Sequence, residues 1–152
     1  ELKKHSKNTN ILIHAAAESH VDKSFNLTNE FIYTNVLGTK NILDVCKEHE
    51  IKKIIHISTD EVYGEIFKNS FKENSRFNPS NPYSSSKAAA EMLINGYIHS
   101  YKLPVIIVRA NNIFGTRQHP EKLLAGCCWS FLKKKKISNS RFWSTKKIIF
   151  VC

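Results

Sequence analysis

Cysteine is scarce in this chain. Cys46, Cys127, Cys128 and Cys152 are its four, and no two of them form C-x-x-C. No disulfide framework is expected from them, and the scarcity fits a reducing, cytoplasmic setting. Long apolar runs are also missing. None approaches the roughly 18 residues that would mark a membrane span. The opening ELKKHSKNTN lacks the apolar core of a secretory leader and has no initial Met, so the chain reads as part of something longer. Acidic residues are absent from one end. Residues 125–152 hold seven Lys/Arg and no Asp/Glu, so the net charge of +10 is concentrated there. The first 124 residues carry 16 basic against 13 acidic side chains, a balance of only +3. A nucleic-acid partner would have to act through the tail alone, and the Lys133–Lys136 run reads more simply as a solvated one.

What is present argues for one ordinary core. A chain of 152 residues with 41% hydrophobic content is long enough to bury one, and too apolar for wholesale disorder. Asn10 to His14 is a short apolar run closed by the small residues Ala15 to Ala17, and predicts a buried strand. From Asp22 to about Glu50, Phe31, Ile32, Val36, Ile42, Leu43, Val45 and Cys46 recur at helical spacing, with Gly38 and Thr39 open to close backbone approach. Lys53 to Ser58 and Pro104 to Arg109 predict two more buried strands. Between them lie a polar loop from Glu65 to Pro82, with Gly64 marking a turn, and an Ala-rich helix from Ser84 to Tyr101. Asn111 to Pro120 reads as a loop, and Glu121 to about Leu132 as a further helix. Strand, helix, strand, helix, strand is the signature of a parallel α/β sheet with crossover helices. Such sheets bind ligands beyond the carboxyl ends of their strands. Here those ends carry Ala15-Ala16-Ala17-Glu18-Ser19, Ser58-Thr59-Asp60-Glu61 and Ala110-Asn111-Asn112.

Two constellations could do chemistry. Tyr83 and Lys87 are spaced i, i+4, which places both on one helix face. An ordinary phenol, with a pKa of about 10, is a poor base at neutral pH. A neighbouring ammonium favours the phenolate, so the pair could take a proton from a hydroxyl while a hydride leaves the same carbon. The plain alternative is an exposed helix start. Asp60 and Glu61 follow a strand, where adjacent acids are ordinarily a solvated loop or a helix cap. At the carboxyl end of a parallel strand they would instead face the cleft and could divide into proton donor and acceptor, as elimination of water requires. Thr59 could hydrogen-bond a substrate oxygen. His14, His20 and His56 show no metal-ligand spacing and read as packing or hydrogen-bonding residues, so no metal is expected. Ser84 to Ser86 lack a general-base partner.

HAAAESHVDKSF, TNVLGT, HISTDEVYGE, NPYSSSKAAAE, RANNIFG and HPEKLL occur in this order. Together they resemble the nucleotide-sugar 4,6-dehydratases of the extended short-chain dehydrogenase/reductase family, over about residues 10–124. The T-D-E triplet separates these from the similar sugar epimerases. The resemblance implies NAD as cofactor, dTDP-glucose or UDP-glucose as substrate, and a homodimer. It implies that Tyr83 is the base at the C4 hydroxyl, with Lys87 lowering its pKa and holding the nicotinamide ribose. Glu61 would remove the C5 proton, Asp60 would protonate the departing C6 hydroxyl, and Thr59 would bind the C4 oxygen. Ala15, Ala16, Ala17, Glu18, Ser19, Thr34 and Asn112 would line the cofactor. Ser19, Asn111, Lys122 and Leu123 would contact the substrate.

The implied fold is a partial Rossmann-like sheet. It lacks the family's first βαβ unit, with its Gly-rich pyrophosphate turn, and the C-terminal substrate domain. Exposing one flank of a parallel sheet should destabilise it. The expected division is 1–124, the partial NAD-binding domain, and 125–152, a basic tail foreign to the family. The alternative to an enzyme is an inactive, truncated chain acting at most as a partner-binding module.

Overall fold

In the computed structural model the described residues are 1–66 and 70–113, with 115, 118, 126, 128, 131 and 132 beyond them. The chain divides into two compact units, Glu1–Ala110 and Asn111–Cys152. In the second unit, 126, 128, 131 and 132 are helical. The expected boundary at 124/125 and most of the expected helix 121–132 fall outside the described residues.

The first unit runs α1 (Leu2–His5), β1 (Ile11–His14), α2 (Val21–Ser24), α3 (Thr28–Phe31), a π-helical stretch (Ile32–Leu37), α4 (Gly38–Glu48), β2 (Lys53–Thr59), a 3-10 turn (Asp60–Tyr63), α5 (Pro82–Tyr101) and β3 (Val105–Ala110). The strands form one parallel sheet in the order β1-β2-β3. His14 stands beside His56, and Ser58 beside Arg109. Parallel pairing forces each connection to cross over the sheet, and α4 and α5 make those crossings.

Alternation along the strands sorts the side chains. Leu12, Ile54, Val105 and Ile107 pack with Leu43, Cys46, Ile51, Ile94 and Leu103 into the main core. Each fully buried Leu or Ile there contributes roughly 1.5–3 kcal/mol. The opposite face differs from the expectation of strands buried on both sides. Ile11 and Ile13 of β1 and Ile106 and Val108 of β3 are exposed. The run of apolar residues is real, but among the described residues of the first unit helices pack against only one of its two faces.

The long helix also departs from its expected form. It is broken into α2, α3, the π stretch and α4, and its buried stripe is Phe31, Asn35, Thr39, Leu43 and Cys46. Ile32, one of the residues read as core, is exposed. A Cβ added at Gly38 would lie 3.7 Å from the Tyr33 carbonyl oxygen, an ordinary contact, so close approach is not why glycine stands there. Gly64 is different. Its φ is +85°, and an added Cβ would sit 2.2 Å from the Asn78 carbonyl oxygen. The expected turn there therefore requires glycine.

Candidate active site

β2 ends at Thr59, and its last residues have small hydroxyl side chains, Ser58 and Thr59. The Thr59 hydroxyl accepts the Glu61 amide at 3.2 Å, capping the 3-10 turn. It also donates to Asp60 Oδ1 at 3.3 Å. The cap is therefore Thr59, and both acids are left to side-chain duties on the first turn. α5 starts under firm control. The Asn81 side chain accepts the Ser84 amide at 2.8 Å, Ser84 Oγ answers the Asn81 amide, and Pro82 presets the first turn. Asn81 Nδ2 also donates to Glu61 Oε2 at 3.3 Å. One residue thus starts the helix and steadies an acid beside it.

Tyr83 sits where these two elements meet. Burial holds its phenol above the ordinary value, and the Glu61 charge adds to this. A hydrogen bond with Thr59 works the other way, and the Asp60 charge raises it again. Thr59, Asp60, Glu61 and Tyr83 therefore converge. The Phe31 ring stands edge-on to the phenol, with centroids 6.3 Å apart. The expected lowering of Tyr83 by Lys87 is not found in the chain by itself. Burial comes first among the causes that act on the phenol, then the Glu61 charge, and Lys87 is not one of them.

Lys87 lies one turn further along α5 and is almost completely buried. Its ammonium donates to the Ile57 carbonyl at 2.8 Å. Burial lowers its pKa to about 8, with Glu91 opposing. His14 and His56 lie side by side in the sheet beneath, with centroids 4.9 Å apart. Burial and then the Lys87 charge lower them to about 4 and about 3. Both are neutral at physiological pH, and the ammonium faces uncharged rings.

A polar strand of contacts joins this centre to the end of β1. His14 Nε2 lies 2.9 Å from Thr39 Oγ1, whose hydroxyl donates to the Asn35 carbonyl at 2.6 Å. His14 is then the donor to Thr39, the Nε2–H tautomer. The Asn35 side chain accepts the Glu18 amide at 2.8 Å and donates to the Glu18 carbonyl at 3.0 Å. It also donates to Ser86 Oγ at 2.8 Å, and Ser86 donates to the Tyr83 carbonyl at 2.7 Å. The segment after β1 is thereby fastened to the helix that carries Tyr83 and Lys87. Ala15, Ala16, Ser19 and Thr34 are exposed beside it.

A phenol, a buried ammonium, two acids and a hydroxyl at the carboxyl end of a parallel sheet narrow the family sharply. The GDP-mannose 4,6 dehydratase family matches residues 4–136. The chain belongs to this family. Among its relatives, the dTDP-D-glucose 4,6-dehydratase of Dictyostelium discoideum is 47% identical over 137 residues, covering 83% of this chain and 32% of that protein. A trifunctional UDP-glucose 4,6-dehydratase of Arabidopsis thaliana is 48% identical over 117 residues, 74% of this chain and 18% of that one. The crystal structure of DesIV, a dTDP-glucose 4,6-dehydratase from Streptomyces venezuelae with NAD bound, superposes with a TM-score of 0.85 at 38% identity. It covers 88% of this chain and 41% of that one. The chain spans about a third of the Dictyostelium relative.

Within this dehydratase-family fold the structure brings together Thr59, Asp60, Glu61, Tyr83 and Lys87, and it fastens Glu18 to them through Asn35. Asn111 and Asn112 lie in the second unit, where the Asn111 side chain accepts the Asn112 amide at 2.6 Å. Lys122 and Leu123 are outside the described residues. Sequence reasoning missed Asn35, Thr39, Ser86, Glu91 and Arg109. Polar residues on the apolar stripe of a predicted helix, at i and i+4, were the available signal for the first two.

Proposed function

We propose that this chain carries the acid–base centre of a nucleotide-sugar 4,6-dehydratase that acts on dTDP-glucose or UDP-glucose. The observation that carries the reading is the convergence of the Tyr83 phenol with the Thr59 hydroxyl and the Asp60–Glu61 acids. An oxidoreductase that only moves a hydride needs the first pair but not two carboxylates. Relatives at 47% and 48% identity act on the dTDP and UDP sugars, and support both substrates equally.

NAD fits the residues present. Lys87 uses one of its three donors on Ile57 and has others for a diol, and the small exposed residues after β1 leave room for a flat ligand. When bound, NAD would supply a hydride acceptor at C4 and a hydride donor at C6. Ala15 to Ser19, Thr34, Lys87 and Asn112 would hold it. Ser19, Asn111, Lys122 and Leu123 would contact the sugar nucleotide. Tyr83 would take the proton of the C4 hydroxyl, with Thr59 bonded to the same oxygen. Once C4 is a carbonyl the C5 proton is acidic. Glu61 would remove it while Asp60 delivers a proton to the departing C6 oxygen, so that water leaves. Cys46, free and buried, is in keeping with a cytoplasmic setting. Exposed Tyr33, Leu37 and Met92 are in keeping with pairing of two copies through α5 and the helix before it.

The test is direct. Purified chain, NAD+ and dTDP-glucose should give the 4-keto-6-deoxy product, read by its absorbance in alkali, and Tyr83→Phe should cut the rate by about 10²–10⁴-fold. One observation favours a second reading, a chain that binds a partner without catalysis: the apolar face left open by β1 and β3. Absence of turnover, together with absence of NAD binding by calorimetry, would select it.

A further inference from the structure

Arg109, on β3, contacts Glu91 of α5, Tyr63 of the 3-10 turn, and Glu73 and Phe77 of the loop that follows it. Its Nη2 pairs with Glu91 Oε2 at 2.7 Å, and its Nε with the same oxygen at 2.9 Å. Glu91, on α5, has no exposed surface and also accepts the Ser58 hydroxyl of β2. On the other side Arg109 Nη1 donates to Tyr63 Oη at 2.6 Å and to the Glu73 carbonyl at 2.9 Å. Tyr63 Oη in turn donates to that carbonyl at 3.0 Å. The guanidinium lies 5.2 Å from the centre of the Tyr63 ring and 5.0 Å from that of Phe77. Phe71 stacks on Tyr63.

Tyr63 is the last residue of the turn that opens with Asp60 and Glu61. Val62 of that turn accepts the Asn78 amide at 3.0 Å, and Glu61 is bonded by Asn81. Arg109 thus holds, through Tyr63 and Glu73, the turn carrying the acids and the loop packed over it. Through Glu91 it is fixed to the helix that carries Tyr83 and Lys87. A bidentate guanidinium–carboxylate pair is rigid in a way that a lysine contact is not.

We propose that Arg109 is a positioning residue that sets the spacing between the acid pair and the Tyr83 phenol. The assignment of catalytic roles on either side of it rests on the dehydratase reading, but the tether itself does not. Removing Arg109 alone would strand the buried Glu91 charge, so the informative variants avoid this. Tyr63→Phe removes one hydroxyl and leaves the ion pair. Glu91→Leu with Arg109→Met removes both charges, and such replacements commonly keep the fold.

Both are tested in the 152-residue chain, without ligand. In both variants amide exchange in peptides covering 59–64 and 71–78 should quicken about tenfold or more, while that of 86–100 stays within about twofold, as for a local opening. The Tyr83 phenol, followed by phenolate absorbance against the same background carrying Tyr83→Phe, should titrate lower, because the Glu61 charge is no longer held beside it. Unchanged exchange and an unchanged phenol titration would overturn the proposal, leaving Arg109 as a partner of Glu91 only. Loss of helix content in the double variant would also overturn it, making the pair a requirement of the core. No readout uses cofactor or substrate, so a chain that fails to turn over leaves this result standing.

Discussion

At the scale of single residues, charge in the interior is the deciding quantity. His14 and His56 are buried side by side against an ammonium, and both have pKa values far below the 6.5 of a free imidazole. The unfolded chain therefore binds more protons than the folded one between about pH 6.5 and the folded values near 4 and 3. Stability is full above pH 6.5 and falls as pH drops through that window. The shifts correspond to roughly 3 kcal/mol for His14 and roughly 5 kcal/mol for His56 at complete loss, and the two do not add because each ring feels the other. Urea midpoints should therefore fall steeply from pH 7 to pH 5. The slope should be shallower in His56→Leu, and an equal slope would mean that the rings are not the cause.

At the scale of elements, the caps decide how firmly the site is held. Asn81 closes a capping box at the start of α5 and bonds Glu61. Asn81→Ala should cost about 1 kcal/mol from the lost cap, read as a lower urea midpoint with unchanged m-value. Much of this scale was legible in the sequence. Three strands, the Ala-rich helix and the turn at Gly64 lie where the pattern of apolar and turn residues put them, to within a residue or two. What was not legible has a common cause. A helical period assumes 3.6 residues per turn, and the π stretch Ile32–Leu37 breaks that count, so Ile32 faces out and Asn35 faces in. The spacing of Tyr83 and Lys87 and the place of Asp60 and Glu61 after a strand leave a plain alternative open, and their roles come from the family resemblance. The direction of the Tyr83 shift was not legible, because it depends on which charges the fold brings within reach. Arg109 and Glu91 read as an ordinary strand end and a helix charge until the strand–helix crossing joined them.

At the scale of the whole first unit, the open sheet face is the main exposure. Parallel sheets are ordinarily covered on both sides. Ile13 and Ile106 stand in one row across Ile55, and are 65% and 49% exposed. The chain should therefore self-associate with rising concentration in sedimentation and enhance the fluorescence of an apolar dye. Ile13→Lys with Ile106→Lys should reduce both while helix content and Tm are kept, since exposed substitutions shift stability by about 0.5 kcal/mol or less each. Retained self-association would place the sticky surface elsewhere, on the helices.

The order β1-β2-β3 makes neighbours in the chain neighbours in space. The residues proposed for the acid–base centre, from Thr59 to Lys87, and the arginine proposed to brace them lie within one stretch of some fifty residues. A single recombination event could therefore move all of these side chains together.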